Sequence, residues 1–183
     1  MSVRTPGPVG PAYVDGALPD LAGRIALFTT RVVLGLLWLQ NSGWKTPPDF
    51  GRSSGSGLYR FTRLAIEHEV FAPYAFVVRE VVFPNFIAFG WLVLLVEAAL
   101  GAFLLVGLAT RFWALVGVVQ SAAIGLSVLN APGEWSWAYY LMLAGHLAVF
   151  GVAAGRFWGL DGVLRPQWER SNSVVARVMF RAS

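Results

Sequence analysis

Apolar positions run nearly unbroken through four stretches of this chain, and charged residues collect between them. The stretches fall at about 22–44, 86–108, 111–130 and 137–155. A bilayer crossing takes about 20 mostly apolar residues, and each stretch is close to that length. Each is also too apolar for a surface helix, which would carry one polar face. The pattern predicts an all-α membrane protein, a four-transmembrane-helix bundle forming one membrane domain over 21–161. Residues 1–20, with Pro6, Gly7, Pro8, Gly10, Pro11, Gly16 and Pro19, hold no hydrophobic core. They read as a flexible tail and not as a cleaved leader.

The largest segment outside the spans is 45–85. Pro47, Pro48 and the run Gly51-Arg-Ser-Ser-Gly-Ser-Gly57 break the chain after the first span. Leu58, Phe61, Leu64, Ala65, His68 and Phe71 then recur at helical spacing, with Arg60, Arg63 and Glu67 on the other face. This predicts an amphipathic helix at the outer interface, stopped by Pro73. Ala75–Phe83 is a shorter apolar piece closed by Pro84, read as a re-entrant segment or a cap. Residues 162–183 form a basic interfacial tail. Leu164, Trp168, Val175 and Met179 make one stripe, with Arg165, Arg170, Arg177 and Arg181 mostly off it. A partly disordered tail is the other reading of this segment.

Composition agrees with a membrane class. Hydrophobic residues make up 56% of the 183, and charged residues only 13%, where a soluble chain carries roughly a quarter. With no cysteine, disulfides, thiolate metal sites and thiol catalysis are excluded. The net charge of +4 is read as topology and lipid contact, not as nucleic-acid binding. With four spans, Arg4, Arg24, Arg111, Arg156, Arg165, Arg170, Arg177 and Arg181 share one side. Both termini are therefore expected to be cytoplasmic, in a bacterial or archaeal cytoplasmic membrane. Trp38, Trp44, Trp135, Trp137, Tyr139 and Tyr140 read as an aromatic belt. Small residues four apart, Gly151/Gly155, Ala144/Ala148 and Ala98/Ala102, read as close helix contacts.

Polar residues inside the spans are the candidate chemistry. Arg31 and Gln40 stand out in the first span, Glu97 in the second, Gln120 in the third and His146 in the fourth. A charge in hydrocarbon is expensive, so it marks a partner or a task. Glu97, Gln120 and His146 fall near mid-membrane at a rise of about 1.5 Å per residue. Two readings stand together. In one, Glu97 and His146 exchange protons or bond a polar headgroup, such as that of a quinone, near Gln120 and Arg31. In the other, Arg31 pairs with Glu97 while His146 and Gln120 bond between helices. No further ligands are at hand for a metal site. A separate outer polar cluster, Gln40, Asn41, Ser42, Trp44 and Lys45, suits an anion or a headgroup. Its other reading is a helix C-terminus with Lys45 on the dipole.

Three pieces then line up. Arg31-Val-Val-Leu-Gly35 is followed by Ser42-Gly43-Trp44-Lys45. Glu97 leads through Gly101 to Gly107-Leu-Ala-Thr-Arg111. Gly155-Arg-Phe-Trp-Gly-Leu-Asp161 follows the fourth span. In this order and spacing the chain, from about Arg31 to Asp161, resembles the DoxX/DoxD family. That family comprises small four-helix membrane proteins, among them the small subunit of thiosulfate:quinone oxidoreductase. The resemblance implies a membrane redox setting and quinone as a partner, with no catalytic motif to carry over. The long outer loop and basic tail depart from the compact pattern and imply protein contacts. The expected function is an integral membrane subunit of a redox complex that anchors partner proteins and forms a quinone site. It is not expected to be catalytic alone or to bind a cofactor covalently. One alternative is a thiosulfate:quinone oxidoreductase subunit that binds substrate directly through Lys45 and the outer cluster. The other is a purely structural subunit of a respiratory or photosynthetic assembly. A transporter is disfavoured by the lack of an inverted repeat.

Overall fold

A computed structural model describes residues 19–183, and every regular element in it is helical. The tail read over residues 1–20 therefore lies, as far as residue 18, outside the described residues. Eight α-helices follow in order: α1 (Leu21–Gly43), α2 (Gly57–Glu67), α3 (Ala72–Val77), α4 (Phe86–Val106), α5 (Thr110–Val128), α6 (Ser136–Val152), α7 (Leu160–Arg170) and α8 (Val174–Ala182). A π-helical turn over Val78–Val82 continues α3, and a short 3₁₀ turn over Ala154–Arg156 follows α6.

Helices α1, α4 and α5 are long and apolar enough to cross a membrane. Helix α6 is as apolar in character but has 17 residues. It stops short of the expected residue 155 because Ala153 turns left-handed at φ 49° and donates its N–H back to α6 carbonyls. The four pack in a closed ring: α1 on α4, α4 on α5, α5 on α6, and α6 back on α1. Leu34, Trp38, Leu100, Leu104, Ala114 and Val149 fill the centre. The outward faces stay apolar, with Leu36, Leu92, Leu95, Val119 and Leu147 exposed. An aqueous protein would bury such a surface, whereas lipid accepts it.

Helices α1 and α4 run antiparallel in close contact. The tight point is Gly35 against Gly101: a Cβ on either residue would sit within about 3 Å of the other's carbonyl oxygen. The expected small-residue contacts do not form here. Ala102, Ala144, Ala148 and Gly151 face outward, and Gly155 instead packs on Thr110 and Asp161.

The 45–85 segment is largely helical. Phe50 is fully buried against Leu58, Phe86 and Val93, in a space that exists because residue 90 is glycine. Helix α2 packs on α5 and buries Leu58, Thr62 and Ala65. Phe61 and Phe71, expected on that face, are exposed. Helix α2 ends at Glu67, well before Pro73, and Pro73 opens α3 instead of stopping α2, as its fixed φ allows. Tyr74 ties α3 to α5, donating to the Ala123 carbonyl at 3.0 Å and lying 2.8 Å from Ser127 Oγ. At the other end of the bundle, α7 and α8 pack on each other and α8 on α5. The expected stripe there is only partly inside. Leu164, Trp168 and Met179 are half-buried, while Val175 is 72% exposed and Ala176, outside the stripe, is the buried residue of α8.

Candidate functional site

Three polar side chains follow one another at seven-residue spacing, Arg31 and Trp38 in α1 and Lys45 two residues past its end. Seven residues are close to two helical turns, so Arg31 and Trp38 share one face of α1, and Lys45 turns back toward that same side. All three are buried, at 0%, 1% and 4% exposure. Each meets a different partner.

Lys45 meets Glu97. The chain leaves the helix at Gly43, and Lys45 folds back so that its stem is covered and its ammonium points into the bundle. Nζ lies 2.5 Å from Glu97 Oε2 and 2.8 Å from the Asn41 carbonyl oxygen. It also stands 4.1 Å from the centre of the Trp44 ring, a cation–π contact. Gln120 Nε2 donates to the other carboxylate oxygen, Oε1, at 3.2 Å. Trp44 Nε1 donates to Asn41 Oδ1 at 3.1 Å, and its ring leans on Phe61. The result is a sealed ion pair in an apolar bundle. Its ammonium lies beneath Trp44 and its carboxylate is shared with Gln120.

Trp38 meets His146. The indole Nε1–H donates to His146 Nε2 at 2.8 Å, and Nδ1 lies 2.7 Å from the Met142 carbonyl oxygen. A carbonyl only accepts, so Nδ1 carries the proton and Nε2 is the acceptor. The ring is a neutral imidazole with both nitrogens occupied. Gly117 makes the space for it, since a Cβ there would lie 2.1 Å from the imidazole Cδ2.

Arg31 meets backbone. Its guanidinium donates to the carbonyls of Leu104, Leu105 (2.9 Å) and Trp158 (3.3 Å). The first two are carbonyls that the end of α4 leaves without helical partners. Across the same turn, Asp161 accepts from the Ala109 and Thr110 amides at 2.7 and 2.8 Å, at the start of α5. A cation on a helix C-terminus and an anion on an N-terminus both oppose the local dipole charge. Gly107, at φ 68°, lets the chain turn there, and its carbonyl accepts from the Asp161 amide at 2.8 Å.

The two candidate groups read from the sequence are thus regrouped. Glu97 and Gln120 join Asn41, Trp44 and Lys45 of the outer cluster. The expected Arg31–Glu97 pair does not form, because Arg31 is held by the α4–α5 turn, further along the α1–α4 seam. His146 does not face Glu97 through a free nitrogen. Ser42 bonds back to the Leu39 carbonyl at 2.9 Å, and Gln40 is exposed on the outside of α1. Trp38, read as part of an aromatic belt, is core. Its place two turns after Arg31 is the signal that marks it. Asp161, quoted only within a motif, is the anion that caps α5.

The comparisons with known proteins complete this picture. The DoxD family model, described as TQO small subunit DoxD, matches residues 68–181. No curated protein and no solved structure matches the chain. The matched interval holds Glu97, Gln120, His146 and Asp161, while Arg31, Trp38 and Lys45 precede it. An all-helical chain with three membrane-length apolar helices and a match over most of its length belongs to the DoxD family.

Proposed function

We propose that this chain is an integral membrane subunit of a quinone-linked oxidoreductase complex, with Lys45, Glu97 and Gln120 forming the polar end of a quinone site. The observation that carries the proposal is the lysine–glutamate pair buried in the bundle, with a glutamine on the same carboxylate. Such a pair is a poor device for stability, since removing two charges from water costs several kcal/mol per ion. It is well suited to proton-coupled chemistry. An ammonium and a carboxamide match the carbonyl oxygens of a quinone headgroup. A carboxyl group beside them takes or returns the proton that accompanies electron transfer. A bound quinone supplies the redox group, and the electrons pass to or from a partner subunit. Trp44, 39% exposed, and Phe61 cover the ammonium, and a headgroup would reach the pair by displacing them. Arg31 and His146 position the helices and do not touch the headgroup.

In this reading α1, α4, α5 and α6 all cross the bilayer. Both termini face the cytoplasm, beside Arg111, Arg156, Arg165, Arg170, Arg177 and Arg181. The outer segment 45–85 and helices α7 and α8 anchor partner subunits of a thiosulfate:quinone oxidoreductase-like assembly. Direct capture of thiosulfate by Lys45 is less suited to this geometry, because the ammonium turns inward. A purely structural role has one observation in its favour: the pair is bonded within the chain without any ligand.

The test is quinone-analogue binding and turnover in the assembled complex. Glu97→Gln, and Lys45→Met with Glu97→Gln, should each lower turnover by about a hundredfold or more, the usual range for a lost proton-transfer group. The complex should remain assembled. Unchanged turnover in the double variant would leave the structural role standing instead.

A further inference from the structure

Arginines gather at the α7–α8 end of the bundle without matching acids. Arg111 lies in the first turn of α5, Arg156 in the 3₁₀ turn, Arg165 in α7 and Arg181 in the last turn of α8. Asp161 lies among them, but both its oxygens already accept backbone amides. Burial, then the nearby Arg165 and Arg111 guanidiniums, push Arg156 below its ordinary range, with Asp161 opposing. Arg156 and Arg165 have partners, both donating to Ser183. Among the described residues the Arg111 and Arg181 side chains have none. Arg111 Nε is buried without a hydrogen-bond partner, and its guanidinium lies 4.8 Å over the Phe150 ring. A cation in the first turn meets the positive end of the helix dipole, so helix stability does not account for Arg111.

Between these two cations runs a groove of about 270 Å³, walled by Phe112, Leu115, Phe150 and Val178. Phe112, Leu115 and Val178 are each about half exposed. From Arg111 to Leu115 the wall climbs α5 toward the middle of the bundle, so the groove is cationic at its end and apolar along its length. A phospholipid has the same division, with an anionic phosphate above hydrocarbon chains. Basic pockets between membrane helices are suited to anionic headgroups. A free oxyanion would satisfy the arginines but leave the apolar wall uncovered.

We infer that the groove between α5, α6 and α8 binds one anionic phospholipid, its phosphate between Arg111 and Arg181 and an acyl chain along Leu115 and Phe150. This site is separate from Glu97 and does not depend on what happens there.

Native mass spectrometry of the full chain in mild detergent tests the inference, with phosphatidylglycerol or phosphatidylcholine added. The chain should retain phosphatidylglycerol in preference to phosphatidylcholine. Arg111→Gln with Arg181→Gln should weaken retention by at least about tenfold, at roughly fivefold per cation facing an anionic lipid. The paired outer changes Arg52→Gln and Arg60→Gln should leave retention unchanged. Leu115→Trp keeps both charges while filling the groove, and it too should lose the lipid. Equal retention of the two lipids, or retention by both groove variants, would overturn the inference. Displacement of the lipid by millimolar glycerol 3-phosphate would overturn it in favour of a free-anion site.

Discussion

Arg31 and Asp161 are held by backbone atoms at the α4–α5 turn. Lys45 and Glu97, farther along the same α1–α4 seam, are held mainly by each other and by Gln120. Both assemblies are buried, yet their removal has different consequences. Backbone groups remain when a side chain is changed, so losing Arg31 or Asp161 strands donors and acceptors in an apolar interior. A side-chain pair can be removed as a unit. Burial alone therefore does not say what the loss of a charge costs, whereas the identity of its partner does.

The largest effect expected follows from that difference. Arg31→Met with Asp161→Leu leaves the Ala109 and Thr110 amides and the Leu104 and Leu105 carbonyls unpaired. At about 1–3 kcal/mol for each unsatisfied buried group, the loss should reach about 4 kcal/mol or more. Lys45→Met with Glu97→Gln should stay within about 1 kcal/mol of the unaltered chain, since replacing a whole buried pair is near neutral. Thermal unfolding in detergent measures both, and equal losses would erase the distinction.

A middle-sized effect is expected between the two assemblies. Gly117→Ala drives a methyl group into His146 and should cost about 1–3 kcal/mol, as overpacking does. The nuclear magnetic resonance signal of the Trp38 indole N–H should shift as its bond to His146 lengthens. An unmoved indole signal would show that the histidine is not fixed by this packing.

The smallest effect lies in the outer segment that carries Lys45. The Asp49 carboxyl accepts from the Ser53 hydroxyl, then from the Ser53 and Gly51 amides, which hold it below its ordinary range. A lowered folded value stabilises the turn at pH above the unfolded value, about 4. That contribution is lost as pH falls below it, through the folded value. Amide exchange at Gly51 and Ser53 should therefore lose protection on acidification below about pH 4, beyond the intrinsic pH effect seen in Asp49→Ala. Matching profiles in the two proteins would show that Asp49 does not organise the turn.

Much of the fold was legible because its signals are local. Long apolar runs marked α1, α4 and α5, and Glu97 stood out as a carboxylate among aliphatic side chains. The end of α6 was not legible, since nothing in Ala153 itself announces a left-handed turn. The partner of Glu97 was hidden for a different reason. Arg31, His146 and Lys45 were all cations or potential cations of suitable reach. The choice among them rests on the register of α1 against α4, set by Gly35 on Gly101 and by the capture of Arg31 at the turn. That register is a property of two helices together. The seven-residue spacing of Arg31, Trp38 and Lys45 was visible, but its meaning needed the first member to be fixed.

Lys45 is the last residue before a segment pinned at Phe50 under Gly90. Its charge is therefore coupled mechanically to the outside of the bundle. A protein that docks on this segment and lifts it draws the ammonium away from Glu97, without reaching into the interior. One that docks without displacing it leaves the pair closed. Displacing the short stretch from Gly43 to Phe50 would therefore carry the ammonium with it and change the charge balance around Glu97.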